Sequence, residues 1–196
     1  MILAEAEKLF AEKGYYGLGL AELLKRCGIP KGSFYYYFPD GKIQLIQEVL
    51  RNSYQRMKNS ILRRMAEQPT ALACFEQMAD HMAERCCQRP LASLLLTMLS
   101  IESVYLDERV HRTCREIYDD WQGLYASYLL EKGYPPEQSR EKAQAIFALI
   151  HGSIISSWIK QNPADIRLAR QTLRVILEKT EKEEPDGTDH QKGRTT

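Results

Sequence analysis

The stretch from Leu20 to Phe38 constrains this chain more than any other. Two short helical repeats, within LAELLKRC and KGSFYYYF, are separated by Gly28-Ile29-Pro30. Gly28 suits the close of one helix, and Pro30 stands where a helix cannot continue but can begin. Two short helices joined by a tight glycine-containing turn make a helix-turn-helix. Here the helices fall at 19–26 and 31–38, with the turn at 27–30. An earlier helix over residues 2–13 carries Ala6, Leu9 and Phe10 at helical spacing and ends at Gly14 as its C-cap. Phe34 and Phe38 are four apart, hence on one face, and are expected to pack on Leu20, Leu23, Leu24 and Ile29 together with Phe10.

The rest of the chain reads as helix. Pro39, Asp40 and Gly41 form a turn, and a long helix follows over 42–67, stopped by Pro69. Further helices are predicted at 70–88, 91–105, 107–132, 137–160 and 164–182. Their breaks are Arg89-Pro90, Gly133-Tyr134-Pro135-Pro136 and Asn162-Pro163. No alternating strand run bounded by turn signals occurs. The expected fold is all-α: a helix-turn-helix head over 1–45, joined by a long helix to a helical body over 46–182. The polar stretch 183–196 cannot bury enough surface to offset its ordering entropy and is predicted to be disordered.

The face of the 31–38 helix opposite the two phenylalanines suggests a function. Lys31, Gly32 and Ser33 open it, and Tyr35, Tyr36 and Tyr37 are consecutive, so a single helix cannot bury all three. Net charge is only +1, so any nucleic-acid binding must come from a local patch. The N-terminal residues of the second helix of such a motif reach base edges in the major groove. Gly32 permits close approach. Ser33 selects bases weakly, and Tyr35 or Tyr36 could touch a thymine methyl or a base edge. Tyr37 and Lys42 are better placed for phosphates, which position without specifying. Lys42 also begins the next helix, whose backbone N–H groups favour an anion.

These residues resemble the DNA-binding head of TetR-family transcriptional regulators: Ala6, Leu9, Phe10, Gly14, the Leu20–Leu24 helix, Gly28, KGSFYYYF at 31–38, and Lys42. The likeness is to the LmrA/YxaF-like branch, which has a GYYG-x-G-L stretch (Gly14 to Leu20 here) and a turn like Pro39 to Lys42. The resemblance implies base-reading positions at Lys31, Gly32, Ser33, Tyr35 and Tyr36, and phosphate contacts from Tyr37 and Lys42. The family usually caps its second helix with Thr or Ser, whereas Leu18 and Gly19 stand here. A missing cap costs about 1 kcal/mol, less with glycine, and should not abolish binding. The sequence also opens at its first helix, where many relatives carry a short basic arm; either that arm is lacking or the N-terminus is trimmed.

A two-fold homodimer would give two heads for two half-sites. The last two helices are the expected interface, with Phe147, Ile150, Ile154, Trp158 and Leu173 on their apolar faces and Ala148, Gly152, Ser153 and Ser156 small enough for close approach. The resemblance implies that these helices pair as a four-helix bundle; the alternative is that they form a monomer's internal core. The middle helices carry soft and aromatic side chains at helical spacing, which suit either plain packing or an adaptable cavity. Phe75, Met78, Met82, Met98, Trp121 and Tyr125 are the apolar candidates, with Glu102 and His111 as polar groups to orient a small, largely apolar effector.

Other classes find less support. No nucleophile–base pair and no phosphate loop occurs, so an enzyme is not expected, and no cofactor is implied. His81, His111 and His151 are spread over three helices, and no metal site is expected. The five cysteines lack zinc spacing and read as buried reduced thiols of a cytoplasmic protein, with redox sensing by Cys86 and Cys87 the lesser alternative. No run of about 18 apolar residues predicts a membrane span, and no signal core predicts secretion. The competing function is a helical small-molecule-binding module without operator specificity.

Overall fold

Ala6, Leu9 and Phe10 are fully buried and belong to one apolar cluster that also takes in Leu23, Phe34 and Phe38. The computed structural model describes residues 1–86 and 92–178. Its described residues form nine helices: α1 (Ile2–Gly17), α2 (Leu20–Cys27), α3 (Lys31–Tyr37), α4 (Lys42–Glu67), α5 (Ala71–Arg85), α6 (Ala92–Ser103), α7 (Glu108–Glu131), α8 (Pro136–Lys160) and α9 (Ala164–Leu177). Helices α1–α3 make the head. The 26-residue α4 leaves it and packs against α1, α6 and α7, so one rod belongs to both parts. In the body α9 lies against α5 and α8, and α8 against α7.

Most stops are where local chemistry puts them. Thr70 caps α5 by accepting from the Ala73 N–H at 3.1 Å, and Asp107 caps α7 by accepting from the Arg109 N–H at 2.8 Å. Gly19 stands at the start of α2 with no side-chain cap. Helix α1 differs from expectation. It does leave helical geometry at Gly14, where φ is 66°, but it resumes and runs to Gly17. Helix α6 ends at Ser103, two residues short of the predicted 105. The predicted ends of α5 at 88 and α9 at 182, the start of α6 at 91, Cys87 and the tail 183–196 lie outside the described residues. Cys86 is buried, as are Cys27, Cys74 and Cys114. Among the described residues no helix is long and apolar enough to cross a membrane, and no group of His, Cys, Asp and Glu could hold a metal ion.

The dimer residues require correction. Phe147, Ile150, Ile154 and Leu173 are buried within the single chain and have no surface left for a partner. Phe147 packs edge-on to Tyr118 and Trp121 of α7, with ring centroids 5.3 and 5.2 Å away. Trp158 is half-buried. A second stripe on α8 is open instead: Ala145, Ala148, Gly152 and Ile159 are exposed and Ile155 is half-buried. Leu168 and Val175 continue it on α9 at 61% and 68% exposure. A Cβ placed on Gly152 would meet nothing within 4 Å.

Candidate nucleic-acid interface and body cavity

The geometry of α3 follows from the turn before it. Gly28 adopts φ 64°, ψ 30°, which lets its N–H and that of Ile29 close α2 on the carbonyls of Lys25 and Leu24. Pro30 then sits at φ −71°, and its carbonyl accepts the first α3 bond, from the Phe34 N–H at 3.3 Å. Phe34 and Phe38 stack at 5.1 Å with 0% and 7% of their surface exposed. Burying a phenylalanine in this way is worth about 1.5–3 kcal/mol, enough to fix which side of so short a helix faces inward.

The opposite side is then committed to solvent. Tyr36 is 80% exposed, Tyr37 63% and Tyr35 43%. Lys31 and Gly32 are exposed and Ser33 is half-buried. Tyr36 and Tyr37 meet edge to face at 5.2 Å, and the Lys31 ammonium lies 5.9 Å from the Tyr35 ring centre. A Cβ on Gly32 would meet nothing within 4 Å, so the chain itself does not require glycine there. Phenols, an ammonium and a hydroxyl on one open edge can donate to phosphates and base edges.

Lys42, expected beside these groups as a phosphate contact, is turned inward. Its ammonium donates to the Leu18 carbonyl at 2.8 Å and stands 4.2 Å from the centre of the Tyr15 ring. Desolvation lowers its pKa, with Glu102 opposing. It ties the start of α4 to the turn before α2.

Glu102 and His111, expected as effector contacts, lie elsewhere. Glu102 accepts the Tyr15 N–H at 2.8 Å, a donor released by the break in α1. A Cβ on Gly14 would stand 2.7 Å from Glu102 Oε1. Hence Gly14 is required by its positive φ, and a side chain there would also displace the Glu102 carboxylate. The Nδ1 of His111 is 3.2 Å from Ser103 Oγ. Further ties hold the head–body junction: Gln47 donates to the Arg109 carbonyl and Thr113 Oγ1, and Arg109 pairs with Asp40 at 3.3 Å.

A cavity of about 860 Å³ opens between α1, α4 and α5, with Leu95 of α6 and Trp121 of α7 also lining it. Of the expected effector residues, Met78, Met82 and Trp121 line it. Phe75 and Tyr125 are buried against each other at 5.0 Å, and Met98 is 41% exposed. Sequence reasoning missed Met57 and Ile61 on the α4 wall, and also the basic residues Arg56, Arg64 and Arg85. Helical spacing cannot tell which face of a buried helix borders a void, and no motif marks the arginines.

The polar atoms behind the cavity are sparingly satisfied. The His151 Nε2 is buried with no hydrogen-bond partner among the described residues, and the buried Tyr125 hydroxyl has the Trp121 indole N–H beside it. His151 Nδ1 lies 2.8 Å from the Phe147 carbonyl, to which only a protonated nitrogen can donate, and burial lowers the pKa of its imidazole. The ring stacks on Phe147 with centroids 3.9 Å apart.

Known proteins share this architecture. The family model for bacterial regulatory proteins of the tetR family matches residues 2–49, and that for the C-terminal domain of LmrA/YxaF-like transcriptional regulators matches residues 70–172. The chain is 31% identical over 172 residues to the HTH-type transcriptional regulator LmrA of Bacillus subtilis, covering 82% of this chain and 86% of that one. It is 25% identical over 179 residues to the uncharacterized HTH-type transcriptional regulator YxaF of the same organism, covering 91% and 94%. The crystal structure of reduced Escherichia coli NemR superposes with a TM-score of 0.77 at 22% identity, over 89% of this chain and 94% of that one. The open α3 edge, the α4 rod and the helical body are thus those of a transcriptional regulator, and the chain belongs to the TetR family in its LmrA/YxaF-like branch.

Proposed function

We propose that this chain is a cytoplasmic repressor that binds a pseudo-palindromic operator as a homodimer and is released by a small molecule in the α1–α4–α5 cavity. One observation carries the DNA-reading part: Phe34 and Phe38 are buried while Tyr35, Tyr36 and Tyr37 stand in solvent. Residues 31–37 of each head enter a major groove, with Lys31, Ser33, Tyr35 and Tyr36 at base edges and Tyr37 on the backbone. Gly32 admits the duplex at close range. Lys42 contributes to phosphate binding only by sharing an ammonium that already serves Leu18.

The dimer forms through the open stripe of α8 and α9, where Gly152, Ile155, Ile159, Leu168 and Val175 meet their copies. Release follows from the cavity's walls. They include Ala4, Glu7, Lys8 and Ala11 of α1 as well as α4 and α5, so an occupant touches head and body together. It shifts the head only if it binds the non-operator shape more tightly.

Selection of bound sequences from genomic fragments tests the reading. A specific regulator retains its fragment against random competitor and loses affinity steeply as salt rises. Retention of no sequence over competitor, with small-molecule binding intact, would instead favour a ligand-binding module without operator specificity.

A further inference from the structure

We propose that the cavity between α1, α4 and α5 takes an anionic amphiphile, its oxyanion held by Arg64 and Arg85 beside His81 and its apolar body laid against Met57, Ile61, Met78 and Leu95. This rests on the effector reading above and narrows it to a chemical class.

The lining has more basic than acidic groups, namely Lys8, Arg56, Arg64, His81 and Arg85 against Glu7 alone. Part of that excess is already matched. The Glu7 carboxylate accepts from both Arg56 and Ser53, and the Lys8 ammonium is 2.6 Å from Glu5. Arg64, His81 and Arg85 remain, half-buried and with no hydrogen bond or ion pair among the described residues. Several arginines outside the cavity find acids: Arg109 has Asp107 and Asp40, Arg115 has Glu108, Arg170 has Asp80 and Glu76, and Arg174 has Glu76. Arg63, Arg112, Arg140 and Arg167 have no ion pair among the described residues either, but all four are exposed to solvent, whereas Arg64 and Arg85 are half-buried on the cavity wall.

Crowding of the three groups is visible at His81. Burial, then Arg64 and Arg85, hold its imidazole more acidic than usual, against Glu84. Arg64 and Arg85 both stand in the last turn of a helix, where the macrodipole favours a cation. That explains a cation at each end. It does not explain two guanidinium groups and an imidazole on one apolar void, where like charges repel. An oxyanion removes the repulsion, and the planar fork of each guanidinium can take two of its oxygens.

The test uses the full-length protein and two fluorescent probes with the same aromatic rings: 1-anilinonaphthalene-8-sulfonate, which is anionic, and N-phenyl-1-naphthylamine, which is uncharged. The wild type is expected to bind the sulfonate roughly tenfold or more tightly than the uncharged dye, with the advantage shrinking as salt screens it. The double variant Arg64→Gln/Arg85→Gln is expected to lose at least that factor for the sulfonate alone, and Arg64→Lys/Arg85→Lys to recover part of it. Met57→Trp, which fills the cavity from α4, is expected to weaken both dyes. Thermal melts of each variant establish that it is folded. Equal affinity of the wild type for the two dyes, or a glutamine variant that binds both as the wild type does or loses both alike, would overturn the anionic class while leaving the cavity as an effector site. Failure of both dyes to bind the wild type, or their unchanged binding to Met57→Trp, would instead sink the effector reading itself, and this inference with it.

Discussion

The head and the body use the same residue types to opposite ends. In α3, seven residues long, and its C-cap Phe38, two phenylalanines face inward and three tyrosines face out, so the aromatic rings divide cleanly between structure and surface. In the body, Trp121, Tyr125 and Tyr128 are buried in α7, and Phe75 packs on the two tyrosines at 5.0 and 6.0 Å. The difference lies in geometry. A two-turn helix docked by one edge must expose the other, whereas α7 has neighbours on several sides and can bury aromatics on most of its face. An aromatic run therefore points to a surface in the head and mainly to packing in the body.

The strongest way to break this comparison is to remove the inward side of α3. Phe34→Ala should cost about 3–5 kcal/mol, since a fully buried ring leaves a cavity behind. Urea unfolding followed by circular dichroism measures it. A cost below about 1 kcal/mol would mean that α3 is not held by that edge.

The two glycines sharpen the contrast. Gly14→Ala should destabilise by about 1–3 kcal/mol, because alanine resists φ 66° and its Cβ would meet Glu102. Gly32→Ala should leave stability unchanged or raise it by up to about 1 kcal/mol, yet weaken operator binding roughly tenfold. Thermal melts and fluorescence anisotropy on the same samples separate the two. One glycine then serves the fold and the other the partner.

The smallest effect belongs to the body and depends on pH. Burial holds the folded-state pKa of His151 below its ordinary value, so the folded protein keeps the ring neutral while the unfolded chain binds a proton. Its stabilising contribution is complete above about pH 6.5 and declines as pH falls from there toward the lowered folded value. His81 shifts in the same direction. His151→Gln should flatten part of this decline, measured as unfolding free energy at a series of pH values. An unaltered slope would show that His151 does not carry it.

The parts that could be read in advance were those decided by neighbours in sequence. The turn at Gly28 and Pro30, the Phe34–Phe38 edge and the span of α4 depend on contacts within a few residues. The parts that could not were decided across long separations. Glu102 meets the Tyr15 N–H from 87 residues away, so its sequence neighbourhood, inside an apolar helix, suggested an effector contact instead. Lys42 sits at a helix start, which suggests anion binding, but the Leu18 carbonyl 24 residues earlier takes its ammonium. In α8 the apolar face over Phe147, Ile150 and Ile154 was legible, but periodicity does not say whether the cover comes from the same chain. The offset stripe of Ala145, Ala148, Gly152, Ile155 and Ile159 was the available signal for the face left open.

The most direct measurement is the operator affinity of Tyr36→Ala/Tyr37→Ala, taken by fluorescence anisotropy beside a thermal melt. Both side chains are mostly solvated, so their loss should leave the melt within about 0.5 kcal/mol of wild type. Binding should weaken at least roughly tenfold, a loss equivalent to one or two contacts at base edges or phosphates. Wild-type affinity in a folded double variant would contradict the claim that the phenolic edge of α3 meets the duplex.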